Sequence, residues 1–182
     1  MSHINLLFLL DSQWKIRRPR PANKDGNWEG QNGGDFFEFI SDPSLRQIYR
    51  MVFERVKSEQ REICLPLRCD TPNLRREAYV RIRPVNVEGG DYLEVENGTL
   101  SETPRPSVPL LDPHTARDET FLSICSWCKR VKVNDTEWVE VEDAIHRLKL
   151  FGRPTLPRLT HGMCPTCYHD LMASVTARAP RP

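Results

Sequence analysis

The chain has 182 residues, of which 38% are hydrophobic and 28% charged, proportions typical of a folded globular protein. Its formal net charge of +1 argues against a general attraction to nucleic acid or to an anionic membrane surface. No stretch reaches the roughly 18 apolar residues of a membrane-spanning helix. The apolar run 6–10 is too short for a signal peptide and is followed by Asp11, so we expect a cytoplasmic protein.

The N-terminal part predicts a β-hairpin and then a loop. Residues 5–10 form a continuous apolar run, which indicates a buried strand, and residues 14–17 alternate as a returning strand. Residues 18–34 are rich in Pro, Asn, Gly and charge, which predicts a loop.

The clearest helix is predicted after Asp42, which can cap it, with Pro43 at its first position. Apolar residues then recur at steps of three and four, namely Leu45, Ile48, Tyr49, Val52, Phe53 and Val56. Because this spacing places them on one face, we expect an amphipathic helix packed against a core.

Three strands are predicted next, over residues 63–69, 78–83 and 92–96, where apolar residues alternate with polar ones. Pro66 indicates an edge strand or a bulge, and Gly89-Gly90 indicates a hairpin turn. Cys64 and Cys69 have no partner motif, so we interpret both as small core residues.

Prolines divide the chain. The stretch 101–118 contains Pro104, Pro106, Pro109 and Pro113, a pattern typical of a semi-rigid linker or an extended arm. We therefore predict a first domain at 1–103, a linker at 104–118, a cysteine-rich module at 119–172 and a disordered tail at 173–182.

Two Cys-x-x-Cys pairs are the most specific chemical signal. Cys125 and Cys128 are separated by 35 residues from Cys164 and Cys167. Two such turns can supply the four thiolates that a structural zinc prefers, and in a reducing cytoplasm paired cysteines hold metal more often than they form disulfides. Two disulfides or a dithiol switch remain the alternatives, whereas c-type haem attachment is excluded because no His follows either pair directly.

The segment between the pairs predicts further structure. Residues 131–141 indicate a short hairpin, residues 142–150 a helix, and Pro154 and Pro157 a return loop. A short helix is expected after Cys167.

His161, three residues before Cys164, could replace a sulfur, since zinc sites of three Cys and one His are common. As four cysteines already suffice, we predict that His161 instead donates a hydrogen bond to a thiolate. A solvent-exposed loop residue is the remaining alternative.

The N-terminal order of strand, strand, helix and three strands resembles the PAS sensor fold, an antiparallel five-stranded sheet with helices on one face. Residues 35–43 followed by Tyr49 are similar to the helical part of PAS-like domains. Residues 68–72 followed by Arg75-Arg76 are similar to a strand-turn-strand of small bacterial PAS-like proteins. The resemblance covers about residues 4–100 and implies an α+β fold, which we expect to be followed by a small zinc-ribbon or treble-clef-like module.

The C-terminal part resembles a cysteine-rich tail that follows PAS or receiver domains in many bacterial signalling proteins. The residues that carry this resemblance are 124–130, Trp138, 140–142 and 160–167. The resemblance implies sensing or signal relay without catalysis. The chain lacks the glycine-rich ATP-binding boxes of sensor kinases and the cysteine motif of flavin-binding light sensors, so the resemblance identifies no cofactor for the first domain.

We therefore expect a non-enzymatic signalling or adaptor protein whose zinc module contacts a protein partner, such as a signalling kinase or regulator. A homodimer is left open. An enzyme is not expected, because four cysteine ligands leave the metal no open position.

Two alternatives remain. In a thiol-based redox sensor the two pairs would release metal and oxidise, and Trp127 and Lys129-Arg130 could favour this by lowering thiol pKa values. A nucleic-acid-binding regulator would use the basic side chains Arg147, Lys149, Arg153 and Arg158. The balanced total charge makes nucleic-acid binding the less favoured of the two.

Overall fold

The computed structural model describes residues 3–21, 32–40 and 42–176. The first sheet contains β1 (His3–Leu10), β2 (Ile16–Pro21), β3 (Ile63–Arg68), β4 (Leu74–Val87) and β5 (Gly90–Pro104). The second contains β6 (Arg117–Cys125), β7 (Val131–Lys132), β8 (Trp138–Val139) and β9 (Leu156–Gly162). The helices are α1 (Pro43–Glu59), α2 (Val141–Arg147) and α3 (Pro165–Thr176), with 3-10 turns at Phe36–Phe39 and Pro109–Leu111. Among the described residues, no helix is long and apolar enough to cross a membrane.

The described residues fall into two compact units. The first unit takes the described residues within Met1–Pro66, Ala78–Leu100 and Asp170–Pro182, and the second comprises Leu67–Glu77 and Ser101–His169. Both contain helix and strand, so the predicted α+β class is confirmed.

The predicted antiparallel five-stranded sheet is also confirmed, with the strand order β2-β1-β5-β4-β3. Strand β1 pairs with β2 on one side and with β5 on the other, both antiparallel. The second sheet has the order β8-β7-β6-β9 and is mixed, since β6 pairs with β9 in parallel and with β7 antiparallel.

Helix α1 forms as predicted. Its N-terminus is capped by Asp42, whose Oδ1 accepts the backbone N–H of Leu45 at 3.2 Å. Val52, Phe53 and Val56 are fully buried, which confirms the predicted apolar face.

Aromatic rings fill the core of the first unit around Phe53. The ring centroid of Phe53 lies 5.1 Å from that of Phe36, 5.5 Å from Trp14 and 5.7 Å from Tyr49. Burial raises the pKa of Tyr49 to about 12. Trp14 reaches this cluster with a φ of 63°, which no strand residue adopts. The returning strand therefore begins at Ile16 and not at Trp14.

Two stretches differ from the expectations. Cys64 and Cys69 are exposed, so the prediction that they are core residues is wrong. On β3 the inward positions are Ile63 and Leu65, and because the strand ends at Arg68 its alternation does not extend to Cys69. Strand β9 occupies the predicted return loop, and its place at the sheet edge tolerates Pro157.

The predicted loop 18–34 and tail 173–182 lie partly outside the described residues. Strand β2 extends to Pro21, and residues 22–31 are not described. Helix α3 extends to Thr176, and residues 177–182 are not described. In the predicted linker 104–118, Val108 and Leu110 belong to the apolar core of the second unit. The predicted domain borders remain predictions.

We expect Gly98→Ala to destabilise the first unit. A methyl group at residue 98 would lie 2.5 Å from Cε1 of the buried Tyr79 ring, whose hydroxyl donates to Glu96. Relieving this overlap should lower the free energy of unfolding by about 1–3 kcal/mol, measured by urea denaturation. The matched control is Gly162→Ala, where a methyl group meets nothing within 4 Å. Equal effects of the two substitutions would show that the ring simply moves aside.

Candidate metal centre

The four cysteines of the two Cys-x-x-Cys pairs lie together in the second unit. The sulfur atoms of Cys125, Cys128, Cys164 and Cys167 are all within 4.8 Å of one another. The Cys128 and Cys164 sulfurs are 3.7 Å apart, and all four thiols are free. Since a metal–sulfur bond of about 2.3 Å gives a tetrahedron with edges of about 3.8 Å, this group can hold a metal ion.

The first pair lies on a tight turn at the end of β6. Cys125 donates its backbone N–H to the carbonyl of Arg130 at 2.7 Å, and Lys129 donates to the carbonyl of Cys125 at 3.0 Å. Lys129 has a φ of 63°, which lets the chain reverse within four residues. The turn therefore places the Cys125 and Cys128 sulfurs on the same side.

The second pair lies at the start of α3. Cys164 directly precedes the helix, Pro165 is the first helical residue, and Tyr168 donates its N–H to the carbonyl of Cys164 at 3.0 Å. The N–H of Cys167 points to the Cys164 sulfur at 3.5 Å. The start of α3 therefore holds the Cys164 sulfur beside the backbone amide of Cys167.

The parallel pairing of β6 with β9 brings the two turns together. Its register places Cys125 opposite Gly162. The N–H of Ser126 donates to the carbonyl of Gly162 at 2.8 Å, and the N–H of Cys164 points to the Cys125 sulfur at 3.4 Å. Because Cys164 follows Gly162 by only two residues, this pairing places Cys164 next to the first cysteine pair.

Burial and hydrogen bonding within the group shift the pKa values of three of the four cysteines. A hydrogen bond from Cys128 lowers the pKa of Cys125 to about 4, although burial opposes this change. The same hydrogen bond, together with burial, raises the pKa of Cys128. Burial raises the pKa of Cys167 to about 12. Cys128 and Cys167 would therefore have to release their protons for a metal ion to bind, which makes metal binding dependent on pH.

His161 is exposed on β9 and does not belong to the group of close ligand atoms found among the described residues. Its predicted hydrogen bond to a thiolate stays a prediction. Substitution tests it directly, because His161→Ala should weaken metal binding modestly if His161 assists a ligand and should abolish stoichiometric metal if His161 is one.

Sequence reasoning missed a buried network of ion pairs in the second unit. The side chain of Asp70 has no exposed surface; it accepts a hydrogen bond from Arg68 Nε at 3.2 Å and forms an ion pair with Arg105 Nη1 at 3.1 Å. Arg68 also pairs with Glu140, which follows β8, and Arg105 pairs with Glu142 at 3.0 Å. The motifs 68–72 and 140–142 were visible in the sequence, but nothing local indicates that they contact each other across 72 residues.

Asp70→Asn should destabilise the second unit by about 3–5 kcal/mol, because two buried guanidinium groups would lose their shared carboxylate. Burial alone would raise the pKa of Asp70, but hydrogen bonds from Arg68 and from the Arg76 backbone, together with the charges of Arg68 and Arg105, lower it. The contribution of Asp70 is therefore fully present above its unfolded-state pKa of about 3.9 and is lost as the pH falls through the lower folded-state pKa.

Urea denaturation at pH 7 and in acid measures the difference in free energy of unfolding between Asp70→Asn and the parent protein. This difference should be smaller in acid. Glu119→Gln is the matched control, since Glu119 is highly exposed and pairs only at the surface with Arg158. If Asp70→Asn loses no more free energy of unfolding than Glu119→Gln, the buried ion pairs of Asp70 do not stabilise the second unit.

Comparison with known proteins adds no further assignment. No protein-family model matches the chain, and no curated protein matches it.

Proposed function

We propose that the chain is a non-enzymatic signalling or adaptor protein, formed by a PAS-like domain and a structural zinc module that contacts a protein partner. The single observation that carries the proposal is the close group of four free cysteine sulfurs. Four protein ligands fill a tetrahedral coordination shell and leave no position for water or substrate, as in structural and not catalytic zinc sites.

Two features support a treble-clef-like zinc module. One cysteine pair lies on a turn between the antiparallel strands β6 and β7, and the other lies at the N-terminus of α3. An all-thiolate tetrahedron suits zinc or iron, and zinc is proposed because it needs no redox partner.

The PAS-like part of the proposal is supported by the first sheet. Its order, β2-β1-β5-β4-β3, pairs the first and last strands at the centre, as in PAS folds, and α1 follows β2 in the chain. The aromatic core around Phe53 is compatible with an interaction domain as well as with a sensor. We place the protein in the cytoplasm, where thiols remain reduced.

A protein partner is supported by large apolar side chains on the second unit. Phe121 on β6 and Phe151 after α2 are 64% and 65% exposed. Exposed aromatic residues are enriched at protein interfaces. A signalling kinase or regulator is the partner class that the resemblance to bacterial signalling tails implies.

A thiol-based redox sensor is the second candidate. It is favoured by Cys128 and Cys167, which are only half-buried and therefore open to small oxidants. In this case oxidation would form disulfides and release the metal.

Metal content and free-thiol counts decide between the two candidates. The protein purified under reducing conditions should carry one zinc per chain and retain both zinc and thiols after mild peroxide treatment. Disulfides that appear together with zinc release would support the redox sensor, and absence of metal from the purified protein would overturn the zinc module.

A further inference from the structure

We propose that Glu140 positions the Cys125–Cys128 turn through its ion pairs with Arg68 and Arg130, and that these pairs set how slowly the metal is released. The inference rests on the proposed metal centre and names the residues that regulate it.

The turn is held on one side by the segment before β4. The carbonyl of Trp127, next to the ligand Cys128, accepts the backbone N–H of Arg68 at 2.7 Å. The Arg68 side chain is 9% exposed and is fixed by the fully buried carboxylate of Asp70. A residue bonded directly to the turn is therefore anchored in the interior of the second unit.

On the other side the turn is held by Glu140. Its Oε1 accepts a hydrogen bond from Arg130 Nε at 3.4 Å, and its Oε2 accepts one from Arg68 Nη1. The carbonyl of Arg130 in turn accepts the N–H of the ligand Cys125 at 2.7 Å. A single carboxylate thus connects both supports of the cysteine turn.

The consequence is a turn that keeps its shape through contacts outside the cysteines. Substituting partners that orient metal ligands typically weakens metal binding 10- to 100-fold. Without the Glu140 carboxylate, the Arg130 side chain loses its ion pair with Glu140, and Arg68 keeps only Asp70 of its two acidic partners. The turn can then open on the Arg130 side, which exposes Cys128 and speeds metal release.

The test compares zinc release from full-length Glu140→Gln and from the parent protein, each loaded with one zinc, into a chromophoric chelator. We expect release about tenfold faster or more in Glu140→Gln, with partial recovery in Glu140→Asp. The cobalt-substituted variant should also show a shifted d–d absorption, a readout that a loss of stability alone would not move. Glu137→Gln is the matched control, because Glu137 lies between β7 and β8 and pairs at the surface with Arg147 of α2.

An unchanged release rate and cobalt spectrum in Glu140→Gln, even with a lower melting temperature, would overturn the proposal. If Glu140→Gln fails to fold, Arg130→Gln is measured in its place. Arg130 is 43% exposed, and its substitution removes only the ion pair between Arg130 and Glu140. Faster release from Arg130→Gln supports the proposal, and an unchanged rate overturns it. Failure of the parent protein itself to bind zinc or cobalt would instead refute the proposed metal centre.

Discussion

Cys164→Ser should abolish stoichiometric zinc and unfold the second unit. Cys164 is 1% exposed, and its sulfur lies 3.7 Å from that of Cys128 in the centre of the group. Binding of a structural zinc contributes on the order of 10 kcal/mol, which is comparable to the whole stability of an ordinary domain. We expect the apolar core of this unit, centred on Val131, Val141 and Ala144, not to offset a loss of that size.

Zinc per chain and the amide NMR spectrum measure the effect. Signals from the second unit should collapse to random-coil positions, whereas the first unit keeps its own aromatic core. Cys69→Ser is the matched control, because Cys69 is an exposed thiol of the same unit outside the metal group. Full zinc and a dispersed spectrum in Cys164→Ser would show that the four cysteines do not organise this unit.

Val52→Asp should unfold the first unit. Val52 is 1% exposed in the middle of α1, on the face that it shares with Phe53 and Val56. A carboxylate placed there must either remain charged without a partner or take up a proton, at a cost on the order of 5 kcal/mol. We expect the cooperative thermal transition of this unit to disappear from near-UV circular dichroism.

Gln47→Asp provides the comparison for Val52→Asp. Gln47 is exposed on the same helix, so the added charge there stays in water and stability should be retained. A Val52→Asp protein that melts like the Gln47→Asp protein would place residue 52 outside the core.

The sequence predicts best where one periodic pattern decides a structure. Helix α1 was predictable because its apolar residues recur at helical spacing after the capping residue Asp42. This spacing alone places them on one face, which then packs against the core. The close group of four cysteines was predictable for a similar reason, since Cys-x-x-Cys spacing alone brings each pair of sulfurs together.

What the sequence did not reveal depends on contacts between distant segments. The parallel register of β6 and β9 was not predictable, because Pro157 argues against a strand until its edge position is known. Val108 and Leu110 are isolated apolar residues among prolines, so no periodicity marks them as core. The pairing of Arg68 with Glu140 likewise depends on the fold and not on any local pattern.

Zinc K-edge X-ray absorption of the full-length protein shows directly whether Cys125, Cys128, Cys164 and Cys167 together hold one structural zinc. We expect a shell of four sulfur atoms at about 2.3 Å and no nitrogen or oxygen ligand. A shell containing nitrogen or oxygen would contradict it, as would a purified protein that carries no metal.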